Sequence, residues 1–513
     1  MASIPPPAPV PPQLDNATEP EAKKPRIDTT TIPADDATGQ RQLHLAVAGC
    51  SHGEMDKIYS TLAVMARNRG YPFDLLICCG DYQALRNNAD MKTIHVNQKY
   101  QNLGTFHQYY SGKKIAPILT IFIGGNHESA GFLAELPYGG WVAPNIYYLG
   151  FSSVIRFAGL RIAGLSGIFK KFDYHKGHFE RPPFPNGSMI SAYHVRSVDI
   201  LRLKQLEATT PEDRVDIMVS HDWPVGITDH GNTPQLLRFK PFFTEDIQNK
   251  RLGNPHTMEV LQLLKPRFWF AAHLHCRYEA SVPHPNAPDF EDTYFLALDK
   301  PVPKRKFLEA IDIPIADDAK MELEYDPVWL AILRATDEFT SISERNVYLP
   351  ASNSFKPSPE SVEAVKAAFD GDLTIPRNFQ PTAPPYQGEG YNEPCLYYRN
   401  PQTTEFCDKL NITNLNRLLY ESNNQFIGIP FFELAARANV DGTEVIDVGD
   451  DESGDEYGEE FFASGSTSAA ATEAPSEPAP PPEPEYKRPV LQPRETVGER
   501  LLKRRPLDLP EDE

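Results

Sequence analysis

Six short apolar runs punctuate the chain between Leu43 and His273. LHLAVAG (Leu43–Gly49), FDLLICCG (Phe73–Gly80), ILTIFIGG (Ile118–Gly125), LRIAGLSG (Leu160–Gly167), VDIMVSH (Val215–His221) and RFWFAAH (Arg267–His273) each end in glycine or a polar residue. Their apolar character is continuous rather than alternating, which predicts strands buried on both faces. Helix-length segments such as Met55–Arg69 separate them, so the pattern reads as an α/β layered fold. A second folded region is expected from about Asp299 to Arg437, with amphipathic stretches at 327–336 and 362–369. No internal repeat is evident.

The ends of the chain read differently. Residues 1–40 are rich in Pro, Asp and Thr, and from about Val440 onward the chain turns acidic, with ten acidic and no basic residues between Asp441 and Glu460. Neither composition offsets the entropy of ordering, so both ends are expected to be disordered tails. The 49 prolines in 513 residues, roughly twice average usage, agree with this. With 40% hydrophobic residues the rest still builds a sizeable core. Six scattered cysteines without a C-x-x-C pair suggest a reducing compartment rather than a disulfide framework. The start of the chain has no apolar signal region, and the longest strongly apolar run, Ile115–Ile123, is far short of the roughly 20 residues of a membrane span, so a soluble protein with no membrane partner is expected. The formal charge of −20 argues against a nucleic-acid partner until it is divided: Arg41 to Lys300 holds 27 Lys and Arg against 24 Asp and Glu, leaving −23 for the remainder.

Chemistry gathers where the strands end. Gly49-Cys50-Ser51-His52, Gly80-Asp81, Gly124-Gly125-Asn126-His127-Glu128, His221-Asp222 and His273-Leu274-His275 each follow one of the apolar runs. In layered α/β folds the carboxyl ends of strands open onto the site crevice, so residues distant in sequence converge there. Residues two apart in an extended segment project to one side, which lets Cys50 with His52, and His273 with His275, aim at one centre. Imidazoles, one carboxylate, one amide oxygen and one thiolate make a donor set for zinc, iron or manganese more than for magnesium alone. A lone buried histidine is more often a core residue; five such motifs in fixed order are not.

The order D-x-H, G-D, G-N-H-E, H, G-H-x-H is the pattern of the calcineurin-like metallophosphoesterases, which the chain resembles from Leu43 to about Ala280. Cys50 stands where that superfamily has its first aspartate and Ala272 where it commonly has glycine. The cysteine is similar to the RNA lariat debranching branch, and so are Tyr174–Arg196, LALDKPVPKRKFLE (Leu296–Glu309) and the segments PVWLAILRATDEF and NPQTTEFC, extending the resemblance to about Leu419. It implies a layered metallophosphoesterase fold, central β-sheets flanked by helices, with a catalytic domain over 41–298, a C-terminal accessory domain over 299–437, and tails at 1–40 and 438–513. It implies one or two divalent metal ions per chain, with Cys50, His52 and His275 facing one, Asn126, His221 and His273 the other, and Asp81 between them. His127 would be the catalytic imidazole, and Glu128 would orient it or hold the turn.

The implied reaction is hydrolysis of the 2′-5′ phosphodiester at the branch of lariat RNA. A phosphoprotein phosphatase or nuclease of the same superfamily, and a catalytically silent binding module, are the competing readings. The silent module conflicts with a full set of ligand-type residues. An RNA-recognition insertion is expected over about 131–202, since Gly150–Leu206 carries nine Lys and Arg against three Asp and Glu among many aromatics. Its candidate contacts are Tyr138, Trp141, Lys170, Lys171, Tyr174, His175, Lys176 and His178. Basic clusters at Lys23–Arg26 and Lys503–Arg505 are candidate sites for a nuclear import receptor, and with a splicing product as substrate the expected location is the nucleus.

Overall fold

The computed structural model describes residues 40–184, 187–350, 355–390, 394–422 and 427–440, all within one compact unit. The tails expected at the two ends, with both basic clusters, lie outside the described residues apart from their innermost positions. Two large sheets carry the fold. Their strands in chain order are β1 (Gln42–Ala48), β2 (Leu75–Cys78), β3 (Leu119–Phe122), β4 (Gly140–Ala143), β5 (Ile146–Tyr148), β6 (Ser152–Phe157), β7 (Leu160–Leu165), β8 (Ile217–Ser220), β9 (Phe268–Ala271), β10 (Tyr278–Val282), β11 (Thr293–Ala297), β12 (Leu308–Pro314) and β13 (Glu324–Tyr325). One sheet runs β12-β1-β2-β3-β5-β4 and the other β10-β11-β9-β8-β7-β6-β13. Within them β1, β2, β3 and β5 are mutually parallel, as are β7, β8, β9 and β11.

Burial on both faces explains the continuous apolar runs. Leu43, Leu45, Val47, Leu75, Ile77 and Ile121 of the first sheet pack against Ile155, Ile162, Ile217, Val219 and Phe270 of the second. The alternate residues, Ala46, Ala48, Leu76 and Cys78, turn outward onto Ile58, Tyr59 and Leu62 of the helix Met55–Arg69. That helix ends on Gly70, whose left-handed φ of 83° lets its N–H close onto the Ala66 carbonyl. Across the molecule Ala163, Met218, Trp269 and Phe295 pack outward under Val260, Leu261 and Leu264 of the helix Thr257–Leu264 and Leu330 of Pro327–Ala335. The outcome is a helix–sheet–sheet–helix layering, as expected.

One expected boundary needs correction, and the sheets run across another. Residues 131–202 are not an insertion, because they contain β4 and β5 of one sheet and β6 and β7 of the other; the long excursion from the sheets is about 166–196, between β7 and the helix Ser197–Lys204. The region expected from 299 shares its sheets with the rest of the fold. β12 pairs along the whole of β1, from Gln42↔Pro314 to Ala48↔Leu308, and β13 pairs with β6. Gln402 also closes the edge strand β4, accepting from the Trp141 N–H at 2.7 Å and donating to the Trp141 carbonyl at 2.9 Å. Buried Arg86 joins the halves as well, donating to Asp90, Glu135 and Thr382.

The firmest of these joins is Asp326, fully buried between Arg161 and Arg156, whose Nε atoms both donate to Oδ2 at 2.9 Å. Its Oδ1 caps the helix Pro327–Ala335 by accepting from the Trp329 N–H at 2.9 Å. Removing one partner of a buried ion pair leaves the others uncompensated, at a cost of about 3–5 kcal/mol. Asp326→Asn should therefore lower the stability measured by urea unfolding by that amount; a loss below about 1 kcal/mol would mean the arginines find other partners.

Candidate metal centre

Parallel strands deliver their carboxyl ends to one edge, so the segments after β1, β2, β3, β8 and β9 meet there. The loops are laddered to each other: the His52 N–H donates to the Asp81 carbonyl at 2.6 Å and the Gly53 N–H to the Tyr82 carbonyl at 3.2 Å. His52, Asp81, His273 and His275 all hold left-handed φ angles, 48°, 46°, 61° and 48°. For residues with a Cβ such angles cost roughly 1–3 kcal/mol each and persist only where the surroundings fix them. Two glycines make room. A Cβ on Gly80 would lie 2.3 Å from His221 Nδ1, and one on Gly125 2.2 Å from Asp81 Oδ1.

The cluster has two halves sharing one carboxylate. Donor atoms of Cys50, His52, Asp81 and His275 all lie within 4.8 Å of one another. His52 Nε2 faces His275 Nε2 at 3.0 Å and Asp81 Oδ2 at 3.6 Å. On the other side His221 Nε2 lies 3.3 Å from both Asp81 Oδ1 and Asn126 Oδ1, with the His273 ring 5.0 Å from that of His221. His221 Nδ1 is 2.7 Å from the Cys79 carbonyl and must donate to it, so in the neutral ring the Nε2 lone pair points at two oxygen lone pairs. Such a spot calls for a cation.

Electrostatics agree. Burial pushes His52 down to about 4, and His273 and His275 to about 3, so these rings are neutral donors near pH 7. Burial disfavours charge on Asp81, but the charge and hydrogen bond of His221, with His52, outweigh it and hold the carboxyl well below its usual range. Burial also lowers His221, and Asp81 reverses the sign and raises it, so without a metal a proton answers the same demand. Burial and the Asp81 charge hold the Cys50 thiol well above its usual value; a coordinated thiol is deprotonated outright. This donor set fits divalent metal ions.

His127 stands at the rim, half-buried, its backbone N–H donating to Asp81 Oδ1 at 2.9 Å and its Nδ1 facing the His95 carbonyl at 3.3 Å. Its ring centre is 5.6 Å from that of His52. Glu128 holds the turn: its carboxylate accepts from the Tyr82, Gln83 and Gly125 N–H groups at 2.6, 2.8 and 3.1 Å. Burial and Asp81 push it up to about 8 against those three donors.

The segment 43–277 matches the family model described as calcineurin-like phosphoesterase, and 290–415 matches lariat debranching enzyme, C-terminal domain. A protein of Caenorhabditis briggsae named lariat debranching enzyme is 47% identical over 437 residues, 81% of this chain and 85% of the relative. Proteins of the same name from Homo sapiens and Drosophila melanogaster are 45% and 42% identical, covering 80% and 72% of this chain and 76% and 78% of their own. The chain belongs to the lariat debranching enzyme family. It is a phosphodiester hydrolase built on a metallophosphoesterase domain that implies divalent metal ions.

For this debranching-family member the residues expected at RNA divide. Trp141 and Tyr174 are buried, Trp141 donating from Nε1 to the Pro376 carbonyl at 2.8 Å and Tyr174 stacked on His256 at 4.1 Å between ring centres. They fill the core and offer no face to a nucleotide, which corrects the expectation. Tyr138 is tied by its hydroxyl to the Thr413 carbonyl at 2.8 Å. His178 stacks on Phe151 and faces Asp199, and Lys176 pairs with Asp173 at 2.8 Å. His175 lies half-buried, its ring centre 5.4 Å from that of Tyr348. Lys170 and Lys171 are exposed, next to Phe172 at 85% exposure. Gln83 and His95 join the site without any mark in the sequence: Gln83 Nε2 approaches His52 Nδ1 at 3.3 Å, and neither residue belongs to a ligand motif.

Because a methyl on Gly125 meets the Asp81 carboxylate and backbone together, Gly125→Ala should empty the centre without unfolding the protein. Metal content after dialysis should fall well below wild type while circular dichroism is retained. Wild-type metal content would show that Asp81 does not hold the ions.

Proposed function

We propose that the chain hydrolyses the 2′-5′ phosphodiester bond at the branch point of excised intron lariat RNA, releasing a linear RNA for turnover. The observation that carries this is the shared-carboxylate cluster at the strand ends of a chain similar along most of its length to proteins named lariat debranching enzyme. Cys50, His52 and His275 would hold one divalent metal ion and Asn126, His221 and His273 a second, with Asp81 between them, its Oδ2 near His52 and its Oδ1 near His221. Bound there, divalent ions would polarise the phosphoryl oxygens and lower the pKa of water for in-line attack. The thiol of Cys50 in place of a hard carboxylate favours zinc or iron over manganese in its half.

His127 is the residue aimed at the scissile phosphate. The Asp81 carboxylate fixes its backbone and the His95 carbonyl takes its Nδ1–H, which leaves Nε2 as the atom that faces the substrate. From there it stabilises charge on the phosphorane-like transition state or hands a proton to the departing 2′-oxygen. No covalent enzyme intermediate is needed. Lys170 and Lys171 are the remaining candidates for RNA phosphates in the loop after β7. The proposed location is the nucleus, through import-receptor binding at Lys23–Arg26 and Lys503–Arg505. Among the described residues no helix is long and apolar enough to cross a membrane.

Purified protein incubated with a 2′-5′ branched RNA and a linear 3′-5′ control should cut only the first, with iron, zinc or manganese supplied in turn; cleavage of the linear RNA alone would contradict the reading. His127→Ala should lose roughly 10²- to 10⁴-fold in kcat with its metal content intact. Loss of metal from that variant would reassign His127 as a ligand.

A further inference from the structure

The loop after β11, Asp299–Lys306, belongs to neither the metal cluster nor the core. It is a closed structure: the Asp299 N–H donates to the Lys306 carbonyl at 3.1 Å, and inner turns join Val302 to Lys300 and Arg305 to Val302. Residues 302–306 are exposed. Its root is pressed against the residue before Cys50. The Gly49 N–H donates to the Phe307 carbonyl at 3.0 Å, and a Cβ on Gly49 would lie 2.1 Å from the Asp299 carbonyl oxygen. The Lys300 ammonium acts on both His52 and His275, so it faces the same half of the cluster. The loop carries Lys300, Lys304, Arg305 and Lys306 against one carboxylate, Asp299, which Arg305 contacts at 3.1 Å.

A second element flanks it. Leu236 and Phe243 anchor the segment 233–248 in the core with Cys276 and Tyr278, which leaves Phe239 and Phe242 exposed at 73% and 67%. Between them lies Lys240, its Nζ 5.7 Å from the Phe242 ring centre. Cys276, in that buried cluster, directly follows His275 in the chain, which ties the segment to the Cys50 half of the site. The carboxylates that follow, Glu245 and Asp246, are held by Arg251. Two largely exposed phenylalanine rings, together with the exposed lysines of the loop rooted beside Cys50, match an unpaired nucleic-acid strand, whose phosphates bind cations and whose bases stack.

We infer that these two segments form a track for one single-stranded RNA arm leaving the cluster on its Cys50 side, with Lys304 and Lys306 at phosphates and Phe239 and Phe242 under bases. This rests on the proposed RNA substrate and adds where one of its arms lies. The test uses the full chain with two branched RNAs, one reduced to the branch nucleotide and its neighbours, the other with arms of about ten nucleotides, within the usual span of a single-strand track. In Phe242→Ala, and in the double variant Lys304→Glu with Lys306→Glu, the kcat/KM of the armed RNA relative to the minimal one should fall about tenfold, through KM. The lysine variant should also flatten the salt dependence of binding by roughly 0.7 for each phosphate no longer neutralised, and arginine at both positions should restore the ratio. Phe242→Ala alters no charge, so its effect separates stacking from a general field. An unchanged ratio in both variants would overturn the track and leave this face to an acidic protein partner. Wild-type protein that cuts neither RNA would overturn the substrate reading itself, before any variant is compared.

Discussion

Asp81 is the point on which the site turns. Its two oxygens face opposite halves of the ligand cluster, its backbone carbonyl receives the His52 N–H, and Oδ1 fixes the backbone of His127. A carboxylate serves this purpose only if it stays charged where water is excluded, and the surrounding imidazoles keep it so. The same charge raises His221 and, with burial, the thiol of Cys50. The buried Asp81 charge thus leaves a demand for positive charge at the cluster, which a divalent ion would meet.

Holding that arrangement costs conformational energy. Four ligand-type residues take backbone angles that side-chain-bearing residues avoid, and the strain is tolerated because both sheets lock their strand ends in register. The rest of the fold supplies this rigidity. β12 lines β1 along its whole length, and the buried Arg161–Asp326 pair and the Gln402 clamp on β4 bind the C-terminal residues into the same body. Two family models meet in this chain, yet a sheet edge rather than a domain joint lies between them.

The central strands and the ligand positions were legible because both depend on local signals. Runs such as LHLAVAG must be buried on both faces, and the polar residues that end them must sit at the crevice. β4, β5 and β6 were not legible: they are short, rich in aromatics and interrupted by turns, so Trp141 resembled a recognition residue when in fact it fills the space between sheets. The chain also gave no sign that Gln402, 261 residues from Trp141, would stand in for a strand. Of the two roles expected for Glu128, the structure shows the second: it holds the turn by accepting from the backbone N–H groups of Tyr82, Gln83 and Gly125.

The shared carboxylate is tested most directly by counting metal. Asp81→Asn keeps the shape of the side chain and removes the charge, so metal per chain, measured by mass spectrometry alongside wild type loaded with zinc or iron, reports on both halves at once. The account predicts that both halves lose affinity together and that the variant binds little metal. Retention of the wild-type complement, or clean loss from one half only, would contradict it.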